Sequence, residues 1–306
     1  MNNNLNKDFW NKIKKLIKLY HLNFLHDAIG SDYLSEDEMT FLKDNLGKDK
    51  LNESKIPFLD KIFAFGQISQ KIGLENSNKI TKKDLESWLK DNKESKIKTN
   101  IKLEKIKAQL YLDVLSKQFQ IEKDLRQGIL NESNKEKFKM SNLVNYIKGK
   151  FLDWSFLKDS ISYVSESSLN EGKAEEIKAQ AKKEGENDPI VYKVPIMDEK
   201  LCINCRRAYL NNDGTPKLFR LSELSSNGTN IGKQPKDYLP TLGVLHIHCR
   251  CLLQYFEEVP NTSKDDYEFD DSKHRYILKE KVLDDDKKVK RESKVKISIG
   301  TKEFEV

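Results

Sequence analysis

The chain is poor in the residues that interrupt regular structure and in those that build covalent frameworks. Only seven of its 306 residues are proline, and Pro57 alone precedes residue 189. Nothing of that kind therefore opposes helix over most of the first 185 residues. Cysteine is absent from the first 201 positions, and all four cysteines fall between Cys202 and Cys251. A disulfide framework spread along the chain is excluded. No stretch approaches eighteen uninterrupted apolar residues, so a membrane partner is not expected. The opening residues MNNNLNKDFW lack an apolar segment followed by a small-residue cleavage site, and no secretion signal is read there. A Gly-x-Ser-x-Gly elbow, a glycine-rich phosphate loop and an HExxH helix are also missing. Hydrolase, nucleotidase and metalloprotease chemistry lose their usual support, and neither a catalytic set nor a small-molecule substrate is expected.

Charge is plentiful. Charged residues make up 34% of the chain and apolar residues 37%, with a formal net charge of +6. This composition predicts helices with broad solvated faces. Residues 1–150 carry 29 Lys/Arg against 21 Asp/Glu, whereas residues 151–200 carry 7 against 11. The basic excess is modest and permits at most weak, non-specific contact with nucleic acid.

Apolar positions Phe9, Ile13, Leu16, Ile17, Tyr20 and Phe24 step by three and four, predicting an amphipathic helix that ends near Gly30. Ser35 before Glu36, Asp37 and Glu38 is a capping-box arrangement for a short helix running to Gly47. Pro57 can open a further helix, and Thr81 can cap another that ends near Asp91. The polar stretch 92–99 is a soft domain boundary. A long helix is expected from Leu103 to Gly128, an apolar set over 140–170, and a separate polar helix over 172–183. His21 and His26 are expected at the surface or boundary of the first helix, and His274 in solvent.

After Gly185 the texture changes to turns and short strands, with Ile190–Val194 and Leu252–Phe256 the best strand candidates. Residues 261–293, rich in aspartate, read as a mobile connector. Alternation at Val295, Ile297, Ile299, Phe304 and Val306 predicts a small terminal hairpin. The fold class expected is α+β: a predominantly α-helical body with a small β-rich metal module near the C-terminus. Its divisions are an N-terminal helical region 1–95, a second region 96–260 containing the module at 190–256, and a connector with hairpin at 261–306.

Chemistry concentrates in that module. Cys202-Ile203-Asn204-Cys205 has the spacing that lets one tight turn aim both sulfurs at a common centre. Forty residues on, the run His246-Ile247-His248-Cys249-Arg250-Cys251 offers His246 and Cys249 at matching spacing, with Cys251 alternate to Cys249. Thiolate and imidazole donors in this number suit Zn2+ in a closed tetrahedron, which makes the metal structural. Cys202, Cys205, His246 and Cys249 form the preferred set, and Cys251 is the nearest competitor for a place. His248 is expected to point away and Arg250 to stay near the thiolates. Four of the seven arginines, Arg206, Arg207, Arg220 and Arg250, fall in this region. With His246 and His248 they motivate an alternative reading as a zinc-containing DNA-binding protein or HNH-like nuclease.

The helix at 174–183, the strand at 190–194, Asp198 ahead of the Cys202/Cys205 pair, Gly214 in a hairpin and the closing His246/Cys249-Arg250-Cys251 motif followed by Leu252-Leu253 together resemble the phage Mu protein F-like family of head-morphogenesis, or minor capsid, proteins. A longer gap between the cysteine pairs, with an inserted loop at 221–238, and His248 at a usually small polar position are departures from that pattern. The resemblance implies a non-enzymatic virion protein that works with portal and capsid proteins at the portal vertex and meets packaged DNA weakly, if at all.

Overall fold

In a computed structural model the chain is described at residues 3–47, 51, 56–92, 101–133, 141–142, 145–146, 155–195, 201–257, 263–270, 275–279, 296–299 and 302–305. It is mostly helical with small antiparallel sheets, an α+β protein. Among the described residues no helix is long and apolar enough to cross a membrane. Two compact units are present. One comprises Met1–Asp60 with Glu104–Val164, the other Lys61–Leu103 with Ser165–Val306.

In the first unit the helix Asn3–Ile29 (α1) is followed by Glu36–Leu46 (α2). Ser35 closes the expected capping box: its hydroxyl accepts from Glu38 N, and the Glu38 carboxylate accepts from Ser35 N at 3.0 Å. Leu22, outside the predicted stripe, packs with Leu42 and Leu51, while the stripe residues Leu16 and Tyr20 are exposed: the helix is present, but a different face of it holds α2. His21 departs from its expected surface position. It is 5% exposed, and burial pushes its imidazole below the ordinary range against a hydrogen bond with Gln118. Four residues after Ile17 and four before Leu25, both buried, it lies on the enclosed face of α1. His26 is half-buried. Within the same unit Lys107 bridges Asp60 at 2.9 Å and Glu104 at 3.1 Å, and the Tyr33 hydroxyl donates to Glu104 at 2.6 Å.

The second unit is organised by a close helix crossing. Phe58–Ile72 (α3) and Ser155–Lys183 (the helix after Lys82–Asn92, α4, and Ile101–Ser133, α5; hence α6) meet at Gly66 and Gly172. A Cβ on Gly172 would stand 2.1 Å from the Phe63 carbonyl oxygen, and one on Gly66 2.2 Å from that of Leu169. Only glycine permits this backbone approach. The expected helix start at Gly172 is therefore absent: Gly172 lies mid-helix as a packing residue, and 172–183 continues α6. Likewise α5 runs past Gly128 to Ser133. Thr81 does cap α4: its hydroxyl accepts from Asp84 N at 3.4 Å, and its own N–H donates to the Asp84 carboxylate at 2.7 Å. Most of the boundary at 92–99 and much of the apolar set at 140–154 lie outside the described residues.

Ile190–Val194 (β1) is the centre of a three-stranded antiparallel sheet, flanked by Leu218–Arg220 (β2) and Leu252–Tyr255 (β3). All five β1 residues are buried. Period two sends Ile190, Tyr192 and Val194 to one face, where they pack with Phe256 and Tyr267. Val191 and Lys193 face the opposite way. Where a connector is expected, Tyr267–Asp270 (β4) and Arg275–Leu278 (β5) form a hairpin, and Phe269 and Tyr276 stack edge-on against Tyr192. These aromatics outweigh the acidic composition that suggested solvent. The terminal hairpin is present as Lys296–Ile299 (β6) with Lys302–Glu305 (β7). His274 and residues 280–295 lie outside the described residues.

Two outcomes are expected. Gly172→Ala must push α3 and α6 apart and should cost about 3 kcal/mol, read as a lower midpoint in denaturant unfolding. Lys173, fully enclosed and held by Gln70 at 3.5 Å, has its ammonium pushed by burial from 10.5 down to about 8. The unfolded chain then binds the extra proton between those values, so this residue's contribution raises stability as pH climbs from about 8 to 10.5. Lys173→Met should be more stable than the parent at pH 7, by about 3 kcal/mol, with that advantage fading by pH 10.5. A variant no more stable at pH 7 would contradict the assignment.

Candidate metal centre

The two cysteine-bearing segments arrive at one place by different means. Cys202 caps the short helix Ile203–Tyr209 (α7), its sulfur accepting from Cys205 N at 3.3 Å, and this turn aims both sulfurs the same way. The second segment is braced from behind. Tyr209 OH donates to Thr241 O and accepts from Thr241 N, each at 3.3 Å. Asn230 donates to Leu239 O at 2.9 Å and Leu245 O at 3.3 Å. Asn170 of α6, with no solvent exposure, donates to Gly243 O at 3.3 Å and Cys251 O at 3.1 Å and accepts from Leu253 N at 2.9 Å. The stretch expected as an inserted loop, 221–238, contains the helix Leu221–Ser226 (α8), buried through Leu221 and Leu224.

All five expected donors converge. Cys202 Sγ lies 2.9 Å and Cys205 Sγ 3.1 Å from His246 Nε2, and Cys205 Sγ lies 3.7 Å from Cys249 Sγ. The donors form two overlapping triads, Cys202–Cys205–His246 and Cys205–Cys249–Cys251, each within 4.8 Å. Cys205 belongs to both. A Zn–S bond of about 2.3 Å gives a tetrahedral edge of roughly 3.8 Å, so the Cys205–Cys249 spacing fits such an ion as it stands. The sulfur–nitrogen pairs would open by about half an ångström to take it. His246 Nδ1 is 2.6 Å from Ile247 O. A carbonyl can only accept, so Nδ1 carries the proton and Nε2 turns its lone pair toward the sulfurs.

Hydrogen bonding with Cys249 and Cys251 holds the Cys205 thiol up, and the same bond from Cys205 holds Cys249 well below the ordinary thiol range. Soft, buried, mutually facing donors of this kind could hold a metal ion.

His248 is exposed, but it borders the cleft at the cysteines instead of pointing away from it, and it sits in a turn, not an extended strand. Its φ of 61° marks a turn, and Cys249 N donates back to His246 O at 3.1 Å. Arg250 is half-buried and borders the cleft at the cysteines. Arg207 donates to Pro235 O, and Arg220 pairs with Glu186 at 3.3 Å and donates to Asp188 O at 2.8 Å. Arg206 is exposed. Asp198 lies outside the described residues.

Pattern reading did not single out Lys193 or Asn170. The lysine carries a signal, a lone charge in the strand Ile-Val-Tyr-Lys-Val; Asn170 has none beyond being a poor helix former inside a helix. No protein-family model, curated protein or solved structure matches the chain.

Because Cys205 serves both triads, Cys205→Ala is expected to abolish metal uptake in a zinc titration, whereas Cys251→Ala should keep one equivalent through Cys202, Cys205, His246 and Cys249. Loss of uptake in Cys251→Ala alone would reverse the ligand assignment.

Proposed function

We propose that the chain is a structural, non-enzymatic minor head protein of a phage, a member of the Mu protein F-like class acting at the portal vertex, in which Zn2+ fixes the C-terminal module as a docking knob. The observation that carries this reading is the convergence of Cys202 and Cys205 with His246, Cys249 and Cys251 across some forty residues of sequence. When bound, zinc supplies a tetrahedral cross-link and contributes on the order of ten kcal/mol of folding free energy. The chain's own residues do the rest: α7 presents one pair of donors, while Asn170, Asn230 and Tyr209 hold the second segment in place.

A closed four-ligand site leaves no open position for a substrate or water, which favours scaffold over catalysis. The solvated lysine-rich helices would face portal or capsid protein, with packaged DNA a weak and non-specific neighbour. Exposed Arg206 favours a second reading, a zinc-containing DNA-binding protein or HNH-like nuclease, although Arg220 is occupied by Glu186 and Asp188.

Co-expression with portal and capsid proteins of the genome encoding the chain tests the first reading. Co-migration with portal on a gradient, lost on chelation, is expected. Failure to join any head component, together with metal-dependent cleavage of plasmid that His248→Ala removes, would overturn it in favour of the second.

A further inference from the structure

Lys193 is the fourth residue of β1, with no exposed surface. Strand alternation turns it away from the aromatic cluster around Tyr192 and toward the cysteine-bearing segment. Its Nζ donates to Gly243 O, the same carbonyl that accepts from Asn170, and lies 5.5 Å from the Tyr209 ring centroid. On the partner strand Lys193 registers with Leu253, two residues beyond Cys251. Among the described residues no carboxylate lies within ion-pair distance of its Nζ. Glu171 is bridged by Lys102 at 3.2 Å.

An ammonium sealed from water with only a carbonyl and a ring face is costly. Burial drives its charge off, while Cys249 and Cys251, then Glu171 and Cys205, favour keeping it. Glu166 and Arg250 also face this region, and burial and then Cys249 hold the Glu166 carboxyl above its ordinary range. A zinc ion with three thiolates and one imidazole carries a net charge of about −1, which a single ammonium cancels. Four thiolates would leave about −2, which it does not.

We propose that Lys193 is the fixed counter-charge of the metal centre, a positioning residue that stabilises a three-cysteine, one-histidine zinc site from outside the ligand shell. This rests on the zinc reading above and adds to it the residue that sets the site's charge balance. Asn170 keeps Gly243 O hydrogen-bonded when the lysine is replaced, so neutral substitutions there leave the carbonyl satisfied.

The test compares the full-length chain with Lys193→Met and Lys193→Gln. Zn2+ affinity is measured by competition against a chromophoric chelator, Co2+ spectra report ligand geometry, and melting is followed with and without metal. Both neutral variants are expected to keep a tetrahedral thiolate–cobalt spectrum yet lose zinc affinity by about ten- to hundred-fold. Their metal-free melting temperature should equal or exceed the parent's, since an uncompensated buried charge is gone. Unchanged zinc affinity in Lys193→Met overturns the counter-charge role while leaving the zinc site standing. So does restored affinity in Lys193→Gln alone, which would make the hydrogen bond the operative feature. Equal melting losses with and without metal mark a packing role and overturn it too. A parent chain that takes up no zinc removes both readings.

Discussion

The meeting of three buried thiols with a half-buried one and an imidazole is the constraint around which the C-terminal module is arranged. Residues 201–250 are mostly turns and short helices that enclose apolar side chains such as Tyr209, Leu224 and Val244. Irregular backbone of this kind is entropically costly to order. Donors gathered from both ends of it would add a cross-link once an ion joins them. The polar residues behind the donors serve that arrangement: Asn170 and Asn230 each tie two or three backbone groups of the second segment, and Tyr209 clamps Thr241.

The module is mounted on something stiffer. Gly66 and Gly172 let α3 and α6 approach through their backbones, and α6 then delivers Asn170 to the start of β3. One helix thus both closes the helical packing of the second unit and positions the strand that directly follows Cys251. The sheet does the complementary job, because β1 sends Tyr192 into the aromatic cluster and Lys193 toward the thiols. Two adjacent residues on one strand serve two different environments.

Much of this was legible in the sequence where the signal is local. Ser35 with Glu38, Thr81 with Asp84, the strand at Ile190 and the CxxC spacing each follow from neighbours within a few positions, and the structure has them. What was not legible depends on partners far away. Gly172 looks like a helix boundary until Phe63 is beside it; Tyr267 and Tyr276 look like part of an acidic connector until Tyr192 and Phe256 are beneath them. His21 reads as a surface residue because its burial comes from tertiary packing. Of the candidate site, all five donors were named from spacing, while the brace that Tyr209 and Asn170 supply acts across 32 to 83 positions. The two discontinuous units were invisible to any reading that divides the chain linearly.

Elemental analysis of the natively purified chain, paired with melting curves before and after strong chelation, bears most directly on the metal centre. One zinc per chain and a large drop in melting temperature on its removal, reversed by adding Zn2+, is the predicted result. A metal-free protein whose melting curve is indifferent to both chelator and zinc would contradict it.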